Sequence, residues 1–237
     1  MHRFYAQSFQ GNQGILSPED ERHALRVLRM KPGDPCELIW EGCRYQAVLG
    51  QTGTVDVVSV LPSTEPALKI TLFQGLPKSD KMDWIVQKAV EIGVFAIVPV
   101  SMHRCTVQME NRDAEKKQVR WQRIAREAGK QSGRCTVPQI YLPVSLAELP
   151  SLALSLDACI VPWEECTFMG PLAFFKANPS IRSLGLLIGP EGGIESDEIR
   201  LLDGIFQPLT LGPRILRTET AGLAAASAMM ALYGEME

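Results

Sequence analysis

The chain has 237 residues, a net charge of −3 and a hydrophobic content of 46%, which is enough for the core of one large domain or two small ones. It contains no apolar run near the roughly 18 residues of a membrane span, and its N-terminus lacks the apolar core of a signal peptide. A cytoplasmic protein with no membrane partner is therefore expected. Six cysteines without a Cys-x-x-Cys pair and three scattered histidines predict no metal site.

The first 60 residues are predicted to be mostly β-structure. Four segments have apolar residues that alternate or cluster between Gly and Pro breaks: Arg3–Ala6, Cys36–Trp40, Arg44–Leu49 and Thr54–Val60. Ser17 suits a helix N-cap and Pro18 the first helical position, so one helix is expected to run from there to about Arg29. The Pro-punctuated segment Leu61–Ala67 then predicts a linker.

From Lys69 onward, strand patterns alternate with helix patterns. The predicted strands are Lys69–Gly75, Ala96–Val100, Gln139–Leu142, Ala158–Pro162, Leu184–Ile188 and Pro208–Leu211. The predicted helices are one containing Met82 and Val90, one over about Asp113–Ser132, and three more at Pro171–Lys176, Ser196–Asp203 and Thr218–Tyr233. This alternation predicts a mostly parallel sheet with helices on both faces.

Charge is unevenly distributed along the chain. Residues 1–31 carry five Lys and Arg against three acids, and residues 111–134 carry eight against three, whereas residues 141–237 carry five against twelve. A protein that is acidic as a whole can thus still offer a basic face to phosphates. The alternative is that the basic helix face is simply solvated.

Two loops near the C-terminus are the most informative segments. In Leu186–Gly193 and in Leu211–Gly222, an apolar strand runs into a Gly/Pro turn and then into a helix. Since the two lie about one βα unit apart, their turns are expected to meet at the carboxyl edge of a parallel sheet, where such folds bind ligands. Glycines in Gly189–Gly193 let a ligand approach the backbone closely, although a plain turn is the alternative.

The second loop carries charges that need partners. Arg214 and Arg217 lie close in sequence to Glu219, and arginines beside a carboxylate are costly to desolvate alone. They favour a bound polar molecule, and the alternative is a structural salt bridge from Arg217 to Glu219 or Glu191. Gly-x-Gly-x-x-Gly after the first strand of the α/β part and a Gly-Lys-Ser/Thr loop are both missing, which disfavours a nicotinamide oxidoreductase.

Six further segments, together with the two loops, carry a family resemblance: Arg3–Tyr5, His23–Asp34, Gly75–Asp83, Lys88–Gly93, Arg120–Ala125 and Gln131–Arg134. Over essentially its whole length the chain resembles the RsmE family of 16S rRNA uridine N3-methyltransferases, in the SPOUT (trefoil-knot) superfamily. The resemblance implies an α/β protein with a small PUA-like β-barrel domain that binds RNA, at residues 1–67. A SPOUT methyltransferase domain with a deep trefoil knot would follow at residues 68–237.

The resemblance also implies S-adenosylmethionine as cofactor, held by three knot loops, and a homodimer. Carried over to this chain, the cofactor-binding residues are Val161, Pro162, Trp163, Glu164, Leu187, Ile188, Gly189, Pro190, Glu191, Gly192, Gly193, Leu211, Gly212, Ile215, Leu216 and Thr220. For catalysis we expect Arg217 as a donor to the uracil or a clamp on its phosphate, Glu219 as a proton acceptor or the group that orients Arg217, and Arg214 as the next candidate.

The expected partner is 16S rRNA or the small ribosomal subunit. The residues expected to bind it are Arg3, Arg22, His23, Arg26, Arg29, Arg120, Arg123, Arg126 and Arg134. Two alternatives besides the oxidoreductase stay open: a SPOUT methyltransferase that acts on a tRNA base or a ribose 2′-hydroxyl, and a non-catalytic RNA-binding module.

Overall fold

The computed structural model describes residues 1–78, 80–105 and 111–237. The described chain divides into two compact units, Met1–Glu65 with Gly129–Val137 and Pro66–Ala128 with Pro138–Glu237. The sequence predicts a single domain boundary after residue 67. In the structure, the later segment Gly129–Val137 also belongs to the first unit.

The first unit contains a closed five-stranded barrel. Its strands are β1 (His2–Gln10), β2 (Gln13–Leu16), β3 (Pro35–Trp40), β4 (Cys43–Leu49) and β5 (Thr54–Leu61), in the order β1-β2-β5-β4-β3. β1 and β3 are parallel, and the other neighbours are antiparallel. Phe4, Leu38 and Val55 are buried in its core. The expected small N-terminal β-barrel is thus confirmed.

Strand β2 was not predicted because a glycine interrupts its short apolar pattern. A Cβ atom at Gly14 would lie 2.3 Å from a methyl carbon of Leu38, so the strand needs glycine at this point of close approach. With only four residues and no apolar alternation, the strand has no sequence pattern of its own.

The helix of the first unit is shorter than predicted. α1 spans Pro18–Arg22, and the hydroxyl of Ser17 accepts a hydrogen bond from the Asp20 amide at 3.1 Å, which confirms the predicted cap. The helix predicted to about Arg29 continues past Arg22 only as a π-helical turn, His23–Val27, and ends two residues early. The wider turn places Ala24, which is fully buried, in the barrel core.

The segment Gly129–Val137 completes the first unit through polar contacts. The Tyr5 hydroxyl donates to the carbonyl of Arg134 at 2.9 Å, and the Arg134 guanidinium pairs with Glu65 at 2.7 Å. The Lys130 ammonium lies 2.6 Å from the carboxylate of Asp20, which is buried. The segment therefore supplies cations that pair with acidic side chains of the first unit.

The second unit is built on a seven-stranded sheet. Its strands are β6 (Lys69–Gly75), β7 (Ala96–Ser101), β8 (Gln139–Ile140), β9 (Val144–Ser145), β10 (Ala158–Pro162), β11 (Ser183–Ile188) and β12 (Gln207–Leu209). The order is β12-β10-β11-β6-β7-β8, with β9 also paired to β7. Every pairing among them is parallel, as predicted.

Helices cover both faces of this sheet. They are α2 (Lys81–Ile92), α3 (Asn111–Ser132), α4 (Leu149–Ala153, after a 3-10 turn at Leu146–Glu148), α5 (Pro171–Ala177), α6 (Ser196–Leu201) and α7 (Thr218–Leu232). On one face Phe73 and Leu187 pack in a cluster with Leu149 of α4 and Leu202 after α6. On the other face, Gly222 of α7 lies against Leu72 and Ile188. Alternate residues of the central strands thus pack against the helices on opposite faces of the sheet.

Candidate active site

Three loops follow the carboxyl ends of neighbouring parallel strands. β10 lies between β12 and β11, and the chain leaves these strands after Pro162, Ile188 and Leu209. Neighbouring parallel strands end at the same edge, which is where open α/β sheets bind ligands. We call the three loops that follow loop one (residues 163–170), loop two (189–195) and loop three (210–217).

Two adjoining cavities lie among these loops. The first has a volume of about 420 Å³ and the second a volume of about 350 Å³. Both fall in the range of small-molecule sites. Five residues line both cavities: Pro162, Glu164, Ile215, Leu216 and Ala221. Loops two and three, which are the two predicted glycine-bearing loops, therefore converge with loop one on one continuous region.

Loop geometry depends on two glycines with positive φ. Gly193 has a φ of 74° and Gly212 a φ of 97°, a conformation that side chains other than glycine adopt at a cost. Within the described chain, the backbone N–H groups of Leu211, Ile215 and Leu216 have no hydrogen-bond partner. Loop three thus offers backbone donors to a ligand.

Most predicted cofactor-binding residues line the two cavities: Pro162, Trp163, Glu164, Ile188, Gly189, Pro190, Glu191, Gly193, Leu211, Gly212, Ile215 and Leu216. Four of them do not. Val161 and Leu187 are fully buried in the core behind the loops. Thr220 is exposed on α7, and the Gly192 carbonyl accepts a hydrogen bond from Arg104 at 2.9 Å. These four shape the loops rather than line the cavities.

Sequence reasoning missed Lys81, the first residue of α2. Its ammonium lines the second cavity and lies 3.0 Å from a carboxylate oxygen of Glu191 and 3.2 Å from one of Glu219. These two nearby carboxylates, Glu191 first, raise the pKa of Lys81. Partial burial would raise the pKa of Glu191, but the Lys81 ammonium and the amide of Lys78 outweigh it and lower the pKa. Lys81 is thus a protonated bridge between two carboxylates.

The catalytic candidates have distinct surroundings. Atom Oε2 of Glu219 is buried and lacks a well-aligned hydrogen bond, although the Lys81 ammonium is close. The side chains of Arg214 and Arg217 are exposed and line the first and second cavity, respectively. Neither arginine forms an ion pair with any described residue. The predicted alternative, a salt bridge from Arg217, is therefore wrong, because Lys81 pairs with both carboxylates instead.

Loop two and the start of α7 are joined by a buried relay. The Gln74 amide donates to the hydroxyl of Thr218 at 2.9 Å, and that hydroxyl donates to the Gly189 carbonyl at 2.6 Å. Gln74 has no exposed surface and Thr218 is 5% exposed. The relay fixes the backbone of loop two at the point where it enters the second cavity.

The predicted RNA-binding residues differ in accessibility. Arg22, His23, Arg26 and Arg29 are exposed on α1 and the turns that follow it. On α3, Arg123 is exposed, Arg126 is half-buried, and Arg120 pairs with Asp83. Arg3 pairs with Glu37 at 2.7 Å. Arg134 is only 4% exposed and is held by Glu65, so its guanidinium does not face an RNA ligand.

Within residues 1–78, 80–105 and 111–237, no group of three or more His, Cys, Asp or Glu side chains could hold a metal ion. No helix in this part of the chain is long and apolar enough to cross a bilayer.

Known proteins resemble the chain over nearly its whole length. A family model described as an RNA methyltransferase domain matches residues 64–230. The Ribosomal RNA small subunit methyltransferase E of Bacillus subtilis is 36% identical, over 90% of this chain and 88% of that protein. The Neisseria gonorrhoeae protein of the same name, solved with S-adenosyl methionine, is 32% identical with a TM-score of 0.85, and the match covers 100% of both chains.

A methyltransferase from Legionella pneumophila, solved with the bound cofactor SAM, is 33% identical with a TM-score of 0.83. The match covers 97% of this chain and 96% of that one. The predicted cofactor is thus one that two of these structural neighbours hold. The family predicted from the sequence motifs is confirmed. The chain belongs to the Ribosomal RNA small subunit methyltransferase E family of RNA methyltransferases.

Proposed function

We propose that this enzyme transfers a methyl group from S-adenosylmethionine to N3 of a uridine in 16S rRNA. The observation that carries the proposal is the second cavity, where loops two and three place Glu191 and Arg217 beside Lys81. A carboxylate and cationic donors around one small space suit a base that must lose a proton and carry negative charge.

The residues present fit S-adenosylmethionine. Its sulfonium and ammonium are cationic and suit Glu164, which borders both cavities. The free backbone N–H groups of Leu211, Ile215 and Leu216 suit the acceptor nitrogens of an adenine edge. When bound there, S-adenosylmethionine supplies an electrophilic methyl group.

The chain must make N3 of uracil nucleophilic. N3 carries a proton at neutral pH, so a proton acceptor is needed. We assign that role to Glu219, whose buried Oε2 lies 3.2 Å from the cavity-lining ammonium of Lys81. We assign Arg217 as a donor to the base or a clamp on its phosphate, because its exposed guanidinium lines the cavity without a described partner. Arg214, at the first cavity, is the next candidate.

RNA binding is proposed for exposed basic residues of each unit. In the first unit, which we propose to be PUA-like, the exposed contacts are Arg22, His23, Arg26 and Arg29. In the second unit the proposed contacts are Arg120 and Arg123 of α3, which are exposed, and Arg126, which is half-buried. Because N3 lies on the Watson–Crick edge, the target base must be unpaired or flipped out. A ribosomal substrate would put the enzyme in the cytoplasm.

We also propose a trefoil knot and a homodimer. In support of the knot, β12 lies at the outer edge of the sheet, yet the chain returns in α7 to pack on β6, β11 and α2. In support of the dimer, large apolar side chains are exposed around the loops at Phe168, Leu172 and Ile215, and such surfaces mark interaction sites.

The proposed reaction is tested by nucleoside analysis. Small subunits from cells that lack the protein would be incubated with the purified enzyme and methyl-labelled S-adenosylmethionine, and the digested 16S rRNA analysed by mass spectrometry. We expect N3-methyluridine at one position, and none with the Glu219→Gln variant. A methyl group on a ribose 2′-hydroxyl, or label that appears only in tRNA, would overturn the assignment in favour of another SPOUT activity. No transfer despite cofactor binding would favour a non-catalytic module.

A further inference from the structure

The proposed function places Lys81 at the second cavity but names no substrate atom that it contacts. Its ammonium lies between carboxylates of Glu191, at 3.0 Å, and Glu219, at 3.2 Å, and it lines the second cavity. Since Glu191 and Glu219 raise the pKa of Lys81, the side chain stays protonated at neutral pH. It is therefore a hydrogen-bond donor and not a general base.

We propose that Lys81 is a further catalytic residue, which donates a hydrogen bond from Nζ to a carbonyl oxygen of the target uracil. The inference rests on the proposed N3 methylation. An ammonium carries three N–H groups. Glu191 and Glu219 are the ion-pair partners that Lys81 has among the described residues, which leaves at least one N–H for a group that enters the cavity.

The reaction needs such a donor. The N3 proton passes to a carboxylate of the chain, and the N3 lone pair forms the bond to the methyl carbon. The C–S bond breaks and its electron pair goes to sulfur. As the proton leaves, negative charge spreads onto the two carbonyl oxygens that flank N3. A donor already aimed at one of these oxygens stabilises that charge without reorganising at the moment of reaction.

Lys81 is better held for this task than Arg217. Its backbone is fixed as the first residue of α2, and its ammonium is held by carboxylates from loop two and from α7. The exposed side chain of Arg217 has no described partner and must be ordered by the substrate itself. Lys81 thus supplies a preorganised donor, while Arg217 remains free to follow the RNA.

The first test compares Lys81→Gln with Lys88→Gln. Lys88 lies on the same helix and pairs with Glu91, three residues further on, at 2.8 Å, so its variant removes an equal charge at a residue that does not line the cavity. With small subunits and saturating S-adenosylmethionine, we expect the single-turnover rate of Lys81→Gln to fall about 10²–10³-fold at pH 7. Lys88→Gln should match the wild type. Calorimetry should show cofactor affinity within about threefold in both variants, a margin of less than about 0.7 kcal/mol.

The rate deficit should shrink as the pH rises toward 9.5, because hydroxide increasingly removes the N3 proton without help from the protein. A rate deficit that does not change with pH, together with an equal loss of cofactor affinity, would overturn the proposal. Lys81 would then only hold Glu191 and Glu219 in place. An unchanged rate would overturn it as well.

A second readout does not depend on turnover. An rRNA fragment that the wild-type enzyme methylates would carry a single 5-fluorouridine at the target position and be bound together with S-adenosylhomocysteine. The ¹⁹F resonance then follows ionisation of N3 with pH. We expect ionisation at lower pH in the wild-type complex than with Lys81→Gln, and identical midpoints would overturn the proposal. Methylation at an atom other than N3 would instead overturn the proposed function itself.

Discussion

The hydroxyl of Thr218 donates to the carbonyl of Gly189 at 2.6 Å, so the start of α7 holds the backbone of loop two. The two residues are far apart in the chain, and the hydroxyl itself is held by the fully buried Gln74 amide. The shape of the second cavity therefore depends on a side chain that is almost wholly inside the protein.

Thr218→Val removes this hydroxyl at nearly constant volume. It leaves the Gln74 amide and the Gly189 carbonyl with one hydrogen bond fewer each, and we expect a loss of about 1–3 kcal/mol in folding free energy with about tenfold weaker cofactor binding. Urea denaturation and calorimetry measure the two effects. Thr218→Ser keeps the hydroxyl and is the control. Equal cofactor affinity in the two variants would show that the relay does not shape the site.

Arg217→Ala separates chemistry from cofactor binding. Since the side chain is exposed and has no described partner, its loss should not disturb the fold. We expect kcat to fall about 100-fold with an unchanged Kd for S-adenosylmethionine. Arg214→Ala, at the first cavity, should cost less turnover. A parallel loss of cofactor affinity in Arg217→Ala would assign that residue to the binding of the cofactor.

Arg123→Ala tests the basic face of α3. Arg123 is exposed, whereas Arg120 is engaged by Asp83, so a change at Arg123 removes a charge without breaking an ion pair. We expect weaker RNA binding, and a slope of log affinity against log salt that is smaller by about 1. Filter binding between low and moderate salt measures it. Arg200→Ala, on α6, is the control, and an unchanged slope in Arg123→Ala would remove this position from the interface.

The pair Glu65–Arg134 predicts acid sensitivity of the first unit. Burial would raise the pKa of Glu65, but the Arg134 guanidinium outweighs it and lowers the pKa. A carboxyl with a lowered pKa stabilises the fold above its unfolded value, about 4.3, and the stabilisation is lost as the pH falls through the folded value. At pH 7, Glu65→Gln removes the carboxylate that pairs with the buried Arg134 guanidinium and should cost about 3–5 kcal/mol.

That cost should decline as the pH is lowered below about 4. Denaturant titrations at pH 7 and at pH 3 measure it. Glu91→Gln is the matched control, because it breaks a partly exposed pair with Lys88 and should cost less than about 1 kcal/mol. A Glu65→Gln deficit that is equal at both pH values would contradict the role of the charge.

The cysteines should differ sharply in reactivity. Burial raises the pKa of Cys36 and of Cys159 to about 11, which suppresses the reactive thiolate. Cys43 is exposed. With a thiol reagent at pH 8, we expect one fast equivalent from Cys43, absent in Cys43→Ser, and slow reaction of the buried thiols until the protein unfolds. Fast labelling of Cys159 in the native protein would contradict its burial.

The best-predicted elements are strands that are buried on both faces of the sheet. Strands β6 and β10 match their predicted limits because their apolar runs end at a Gly or Pro. Strand β9 and the turn at Leu146–Glu148 were not predicted, since two or three residues carry no periodicity. The π-helical turn at His23–Val27 was missed because the spacing of apolar residues does not show whether backbone hydrogen bonds span four residues, as in an α-helix, or five, as in a π-helix.

The site was predicted in part for a similar reason. Glycines and prolines mark loops two and three in the sequence itself. Lys81 was missed because its partners, Glu191 and Glu219, lie more than a hundred positions away and only the fold brings them together. Arg134 was predicted to bind RNA, but its guanidinium is buried against Glu65. The left-handed Gly133, with a φ of 86°, ends α3 and turns the chain back toward the barrel.

The contribution of Gly129–Val137 to the first unit has a consequence for how the protein is made. During synthesis the barrel strands emerge early, but Asp20 and Glu65 lack their cationic partners until Lys130 and Arg134 have left the exit tunnel. A chain truncated after residue 67 would lack both of these cations, so we expect the barrel to be less stable on its own than in the whole protein. Transplanting it into another protein would require two splice points rather than one.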